Sequence, residues 1–465
     1  MHGPLYLSDD LRRIERTAGE ESVLMERAGA AAADIAAAIA ADKAKDVLIL
    51  AGPGKNGGDA RIVAERLRER FFRVTVATRA AEIPDKAWGL VVDGLFGIGL
   101  AREIAGEHAA LVDYANRARC PVLALDIPSG LHSDTGRVLG CAVRATHTVT
   151  FIALKPGLLT LDGPDHCGKI EVADLGLRVS EILAPRAWVA EPKLFQGVLK
   201  PRPRNFHKGM AGSLAILGGA LGMTGAALLA GRAGLKMGAG RVYVGLMHEV
   251  QSDPGCLELM LRHPDDALGQ DLDALVVGPG LGEGERAETL VGAALASDVP
   301  CVVDADALNL ISENEDLRHA CARRSAETLL TPHPAEAARL LALSTAHVQA
   351  DRVKAAKALA ANLNAHVVLK GAGSILVARD GHWFVNTSGN PGMASAGTGD
   401  VLAGMLGALL AQRYSGESAL VLGVHLHGAA ADQLVKDGIG PVGLTAGELI
   451  DAARRLWNAW LQSQR

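Results

Sequence analysis

The sequence predicts an α/β protein of two domains, each a mostly parallel sheet with helices on its faces. Three observations carry this expectation. At 465 residues the chain is too long for one ordinary core. Short β-branched runs alternate with helical periodicity along most of its length, the signature of repeated strand–helix–strand units. The 54 glycines lie in no low-complexity tract, which places many of them in strand-to-helix turns.

Composition narrows the function classes. Hydrophobic residues make up 49%, enough for a large core and too many for a disordered chain. The net charge of −5, with both signs mixed, gives no argument for a nucleic-acid or membrane partner. Cys120, Cys141, Cys167, Cys256, Cys301 and Cys321 are scattered without a CxxC pair, which suits reduced thiols in a cytoplasm better than disulfides or zinc. The opening Met1-His2-Gly3-Pro4 and Ser8-Asp9-Asp10 lack the basic-then-apolar order of a signal peptide, so a cytoplasmic location is expected. The Ala-rich run 28–41 is interrupted by Asp34 and is too short to span a bilayer.

In the first half, residues 8–41 read as helical. Val47-Leu48-Ile49-Leu50 reads as a buried strand that ends in Gly52-Pro53-Gly54-Lys55-Asn56-Gly57-Gly58-Asp59. Ile62, Val63, Leu67 and Arg70 continue a helical period, and residues 72–77 form the next strand. A Gly-rich first turn in such a unit is a usual place for a nucleotide phosphate. The second strand, 90–92, ends in Asp93-Gly94, and Gly97 and Gly99 follow. The third, 122–125, ends in Asp126-Ile127-Pro128-Ser129-Gly130. In a parallel sheet these ends share one edge, where α/β proteins bind ligands. Asn56, Asp93 and Ser129 bring hard oxygens that suit a cation such as K⁺ and leave Asp126 for proton transfer. Each Asp taken singly also suits a helix cap.

These residues resemble the YjeF N-terminal family of NAD(P)H-hydrate epimerases. The resemblance rests on Leu24-Met25-Glu26-Arg27-Ala28-Gly29, on the motifs at 52–59, 93–100 and 126–130, on Thr146-His147-Thr148-Val149-Thr150-Phe151 and on Lys155-Pro156-Gly157-Leu158. It covers about residues 8–180 and implies a Rossmann-like three-layer αβα fold. It further implies a K⁺ site of Asn56, Asp93 and Ser129. The implied contacts to the hydrated cofactor are Lys55, Asn56, Gly57, Gly58, Asp59, Gly97, Ile98, Gly99, Leu100, Ala101, Arg102, Glu103 and Asp126. The family usually has Asn-Asn-Gly-Gly-Asp where this chain has Lys55 first. A lysine there either pairs with a cofactor phosphate or crowds the site.

Pro185, Pro192, Pro201 and Pro203 punctuate the middle of the chain and set extended backbone. A first domain over 1–190, a connecting arm over 191–205 and a second domain over 206–465 are expected. Lys200, Arg202, Arg204, His207 and Lys208 in and beside the arm suit a phosphate or a solvated linker equally.

The second half repeats the pattern. Strands at 214–217, 272–277, 300–303, 328–330 and 366–369 each end in Gly, Asp, Thr-Pro or Lys-Gly, and 375–385 reads as a hairpin turning at Asp380-Gly381. Small residues around Gly222 and Gly225 open a helix that reads on through Ala239. The stretch Asn390-Pro391-Gly392-Met393-Ala394-Ser395-Ala396-Gly397-Thr398-Gly399-Asp400 runs into an apolar helical pattern. Free amides at such a helix start attract an anion, and glycine lets the backbone approach it. A carboxylate there repels phosphate, which makes sense if Asp400 takes a proton from a hydroxyl that attacks phosphorus. The alternative is an ordinary acidic first turn. Lys370, Gly371, Ala372, Gly373 and Ser374 offer backbone donors and a cation to a nucleotide, with Gly399 closing over the transferred group. His333, pinned between two prolines, is a ligand contact or a packing residue.

This half resembles the YjeF C-terminal family, the ADP/ATP-dependent NAD(P)H-hydrate dehydratases of the ribokinase-like superfamily. The matching residues are His207-Lys208-Gly209, Gly222-Met223-Thr224-Gly225-Ala226-Ala227, Gly278-Pro279-Gly280-Leu281-Gly282, Asp304-Ala305-Asp306-Ala307-Leu308-Asn309, Thr331-Pro332-His333-Pro334, Asn390-Pro391-Gly392-Met393 and Gly397-Thr398-Gly399-Asp400. The resemblance implies a ribokinase-like αβα domain that uses Mg²⁺ with ADP or ATP. The residues 370–374 and Gly399 would contact the nucleotide, and Ala226, Gly280, His333 and Asp400 the hydrated cofactor. Together the halves imply epimerisation of the two NAD(P)H hydrates and nucleotide-dependent dehydration of one of them. The alternative is a small-molecule kinase joined to a non-catalytic binding module. ADP against ATP and NADHX against NADPHX stay open, and a homo-oligomer of unstated symmetry suits a compact α/β chain.

Overall fold

The computed structural model describes residues 3–40, 42, 44–199, 201–248 and 250–462. Lys200 of the connecting arm, Ala41 of the Ala-rich run, and Met1 and His2 lie outside them. The chain divides into two compact units, Met1–Val189 and Ala190–Arg465. Among the described residues no helix is long and apolar enough to cross a membrane.

The first unit opens with two helices where the sequence suggested one, Ser8–Ala18 and Glu21–Ala40, parted at Gly19. The alanines of the second are its buried face: Ala28, Ala32, Ala33, Ala36 and Ala40. Gly29 allows the close approach, since a Cβ there would collide with Ile62 on the helix Lys55–Glu69. The sheet holds β1 (Asp46–Ala51), β2 (Val74–Ala77), β3 (Trp88–Gly94), β4 (Val122–Leu125), β5 (His147–Phe151) and β6 (Lys169–Ala173). All neighbours are parallel, in the order β2-β1-β3-β4-β5-β6. The order reverses between β1 and β3, which opens a crevice at their carboxyl ends. Register aligns Leu50 with Asp93, Asp93 with Ala124, and Leu125 with Val149, so the turns after β1, β3, β4 and β5 share one edge.

A short strand β7 (Ala187–Ala190) straddles the division, and the arm after it holds one helical turn, Pro192–Phe195. The second unit is built on β8 (Ser213–Gly218), β9 (Arg241–Leu246), β10 (Met260–Arg262), β11 (Ala274–Val277), β12 (Cys301–Val303), β13 (Thr328–Leu330), β14 (His366–Leu369), β15 (Ser374–Val377) and β16 (Trp383–Asn386). Their order is β10-β9-β8-β11-β12-β13-β14-β15-β16. The strands are parallel up to β14, and β15 and β16 run antiparallel as the expected hairpin. The reversal here falls between β8 and β11. Two amides of the β8 turn, Gly219 and Ala220, donate to the carbonyls of Pro279 and Gly280 in the β11 turn.

The helix Thr398–Ala411 is buried on every side from Val401 onward, as expected of a helix without a polar face. It packs on Thr224–Lys236, where a Cβ on Gly404 would collide with the Ala230 carbonyl. Gly404 and Gly234, in the middle of these two helices, are therefore packing requirements, whereas a Cβ on Gly222 or Gly225, where the helix Thr224–Lys236 opens, would meet nothing within 4 Å.

Candidate active sites

In the first unit the crevice at the β1/β3 reversal is a cavity of about 730 Å³. The predicted residues Lys55, Asn56, Asp59, Gly97, Ile98, Gly99, Leu100 and Asp126 line it. Gly57 and Gly58 lie in the first turn of the helix Lys55–Glu69, behind the wall. Ala101, Arg102 and Glu103 are exposed and do not line it. Asp93 and Ser129 are fully buried beneath the floor.

Asp126 has a left-handed backbone, φ +65°, a strained choice for a non-glycine residue that recurs at functional sites. Its Oδ1 accepts from Lys155 Nζ at 2.6 Å and its Oδ2 from the Ile98 amide at 3.2 Å. Lys155 is 1% exposed and also donates to Thr150 Oγ1 and the Phe151 carbonyl. The sequence showed Lys155 only as part of a motif; its partner lies 29 residues upstream. Two more carboxylates face the same space. Burial, with repulsion from Asp126 and Glu15, pushes Asp59 up to about 7. Burial also raises Glu15.

Asp93 Oδ1 accepts from Ser129 Oγ at 2.6 Å and its Oδ2 from the Ser129 amide at 2.8 Å. Burial pushes Asp93 up to about 6 despite these bonds. Asn56 donates through Nδ2 to the Leu125 carbonyl, but its buried Oδ1 has no partner. A buried acceptor left unpaired costs about 1–3 kcal/mol. On the same sheet edge as the Asp93 carboxyl and the Ser129 hydroxyl, that oxygen fits a hard monovalent cation. Lys55 is 63% exposed and pairs with Glu21 at 3.0 Å, both on the cavity lining.

In the second unit the predicted residues meet at the strand ends. Lys370 Nζ lies 3.1 Å from Asp304 Oδ1 and 3.8 Å from Glu336 Oε2. Burial alone would lower Lys370, but Asp304 and Glu336 raise it overall. Thr331 Oγ1 donates to Asp304 Oδ1 at 2.6 Å. Asp400 opens the helix Thr398–Ala411 and is half-buried. Burial pushes it up to about 6; Asp304 and Asp306 add to the rise and Lys370 opposes it. A Cβ on Gly399 would stand 3.4 Å from Lys370 Nζ, so Gly399 faces the lysine. Gly397, the cap of this helix, has φ +88°.

The loop after β14 is braced from behind by Arg352, which is 1% exposed and donates toward the carbonyls of Leu369, Lys370 and Gly373. As the first residue of the helix Arg352–Leu363, ahead of an Ala-rich run, Arg352 gave no signal of this in the sequence. His333 caps the helix Pro334–Leu341: its Nδ1 accepts from the amides of Ala335 and Glu336, and burial lowers its pKa. Its ring is 48% exposed, which leaves an edge open to a ligand. Gly280 and Ala226 lie at the β8/β11 reversal, where a Cβ on Gly280 would crowd Met223 and Ala226.

Gly278 tests this edge directly. Its φ is +125° and a Cβ would collide with the Asp304 carbonyl. Gly278→Ala should lower thermal stability by several degrees, since left-handed strain alone costs about 1–2 kcal/mol. It should also weaken any catalysis at this edge by displacing Asp304. A melting curve with activity before heating checks both.

Both halves of the chain match known families. A family model described as NAD(P)H-hydrate dehydratase matches residues 214–455. One described as YjeF-related protein N-terminus matches 21–88 and 78–157. The chain is 37% identical to a bifunctional NAD(P)H-hydrate repair enzyme of Coxiella burnetii, over 98% of this chain and 99% of that protein. It is 37% identical to the enzyme of that description from Escherichia coli, over 98% and 94%. Among solved structures it is similar to an ADP/ATP-dependent NAD(P)H-hydrate dehydratase from Bacillus subtilis co-crystallised with ATP and Mg²⁺. That likeness has 30% identity and TM-score 0.52, and it covers 58% of this chain and 98% of the other.

Proposed function

The chain belongs to the family of bifunctional NAD(P)H-hydrate repair enzymes, and on that premise we propose how its residues divide the work. The first unit is the epimerase and the second the nucleotide-dependent dehydratase. Water added across the 5,6 double bond of the reduced nicotinamide leaves a hydroxyl on C6, beside the ring nitrogen. Dehydration of one epimer restores the cofactor, and epimerisation feeds in the other.

In the second unit Asp400 takes the proton of the C6 hydroxyl. The oxygen attacks the terminal phosphorus of ADP or ATP, and the shortened nucleotide departs. Phosphate then leaves C6 and a proton leaves C5, which re-forms the double bond. The amides at 397–399 and Lys370 face the charge that spreads over the transferred group. Residues 370–374, braced by Arg352, would hold the nucleotide, with His333, Ala226 and Gly280 beside the hydrated ring. Mg²⁺ would neutralise phosphate charge. The carboxylates of Asp304 and Glu336 beside Lys370, with Asp306 near Asp400, are hard donors that fit it and leave Asp400 as the base. The observation that carries this reading is the carboxylate of Asp400, raised by burial, on the first turn of a buried helix and beside Lys370.

In the first unit the substrate would lie in the 730 Å³ cavity, with Asp126 at the C6 hydroxyl. Inverting that carbon requires proton transfer at the hydroxyl while its bond to carbon breaks and re-forms on the other face. Asn56, Asp93 and Ser129 would hold K⁺, whose charge would order the loop at 93–97 that begins with Asp93 and bonds Ser129. Lys55 would exchange Glu21 for a substrate phosphate. The scattered free cysteines suit a cytoplasmic enzyme.

Replacing K⁺ with a bulky organic cation should slow epimerisation at least about tenfold and leave dehydration of the S-epimer unchanged. Asn56→Ala should do the same with K⁺ present. Equal rates in both media would remove the cation from the account. The function itself is tested by supplying purified S-NADPHX, Mg²⁺ and ADP or ATP and following the dihydronicotinamide absorbance. Inorganic phosphate should appear in step with it. A phosphorylated alcohol that accumulates without phosphate release would favour a kinase.

A further inference from the structure

We infer that Lys155 is a positioning residue of the epimerase, holding Asp126 aimed into the cavity, and that no part of its ammonium is left for the substrate. The inference rests on the proposed role of Asp126 and deepens it.

An ammonium has three N–H donors. Here all three find acceptors within 2.8 Å: Asp126 Oδ1 at 2.6 Å, Thr150 Oγ1 at 2.7 Å and the Phe151 carbonyl at 2.8 Å. Lysine is rarely buried unless paired, and this one is 1% exposed. Its stem lies in the cavity wall; the carboxylate it bonds is Asp126, and its charge also reaches Glu15 on the same lining. Two of the acceptors, Thr150 and Phe151, belong to β5. Lys155 therefore ties Asp126, at the end of β4, to the next strand.

The other carboxylate oxygen is tied as well. Asp126 Oδ2 accepts from the Ile98 amide, on the loop that lines the cavity opposite. The Asp126 amide donates to the Val149 carbonyl at 2.7 Å, and its φ is +65°. A strained residue persists only when its surroundings over-determine it. Lys155, Ile98 and Val149 are those surroundings. Removing Lys155 frees one oxygen and lets the carboxylate swing.

A misplacement of about 1 Å at a reacting group can cost about 10²-fold in rate. Lys155→Met should therefore lower kcat for epimerisation of R-NADPHX about 10²-fold and leave KM within about twofold. It should leave dehydration of S-NADPHX by the same preparation at the wild-type rate. In the double variant Lys155→Met, Asp126→Asn the loss should be no greater than in Asp126→Asn alone, because one residue acts through the other. If Lys155→Met does not fold, Thr150→Val carries the test. It removes one anchor of the ammonium in a side chain of like shape, and kcat should fall at least about threefold with KM unchanged.

Wild-type kcat in the folded Lys155→Met or Thr150→Val protein would overturn the inference. So would a rise in KM alone, which would make Lys155 a binding residue, or additive losses in the double variant. If the wild-type protein itself exchanges no epimers, the epimerase reading fails and the inference falls with it, a result distinct from all of these.

Discussion

Asp400→Asn should abolish recovery of NAD(P)H from its S-hydrate while leaving nucleotide binding intact or tighter. General-base catalysis is worth about 10²–10⁴ in rate, and the loss should lie at the upper end because no second base takes over. Asp304 is already engaged by Lys370 and Thr331. The amide introduced by this substitution has nearly the shape of the carboxylate and lacks the charge that repels a phosphate. Stability gives an independent signature. Burial holds Asp400 at about 6, above the ordinary carboxylate value. A group whose folded pKa is raised loses stability as pH rises from its unfolded value to its folded one. The cost is absent below about pH 4 and complete above about pH 6 to 7, where it reaches roughly 3 kcal/mol. The variant escapes it, so inactive Asp400→Asn should melt higher than wild type at pH 7.5 and equal to it at pH 4. The same ionisation sets the wild-type profile: kcat/KM for dehydration should rise with pH and reach half its plateau near 6. Calorimetry at two pH values and a pH–rate series check both. Retained turnover would remove Asp400 from the chemistry, and a lower melting temperature at pH 7.5 would contradict its raised pKa.

Asp126→Asn is the second large effect, and its stability sign is opposite. Epimerisation should fall about 10²–10⁴-fold while dehydration of S-NADPHX stays at the wild-type rate. Asp126 answers the buried ammonium of Lys155, and removing one partner of a buried ion pair costs about 3–5 kcal/mol. The first unit should therefore unfold at a lower temperature. One variant loses activity and gains stability; the other loses both. A purely structural role for either aspartate would not give this pair of results.

Much of this was legible in the sequence because the chemistry sits where strands end. Asn56, Asp93, Asp126 and Ser129 each follow a short apolar run. Parallel pairing then puts those ends on one edge, as the register of Leu50 with Asp93 and Leu125 with Val149 does. Asp400 was legible because a small-residue loop runs straight into an apolar helix. What stayed hidden depended on pairs far apart in the chain. Lys370 and Asp304 are 66 residues apart, and their meeting follows only from strand order. Lys155 follows the apolar Ile152-Ala153-Leu154, and Arg352 lies in an Ala-rich helix. Nothing local in the sequence marks either as a brace, yet both are 1% exposed. Sequence likewise could not separate Gly97, Ile98, Gly99 and Leu100, which line the cavity, from Ala101, Arg102 and Glu103, which are exposed. Alternating strands such as β9 escaped because Arg241 and Tyr243 break the apolar run.

The central claim is that one chain carries both activities, each in its own unit. It is tested most directly by incubating the protein with a mixture of both NADPHX epimers, K⁺, Mg²⁺ and ADP or ATP and following restored dihydronicotinamide. Wild-type protein should recover all of the cofactor, well ahead of a control for spontaneous epimerisation, and Asp126→Asn should stop at the fraction that began as the S-epimer. Wild-type recovery that stops at that same fraction would contradict the claim and leave the first unit a binding module.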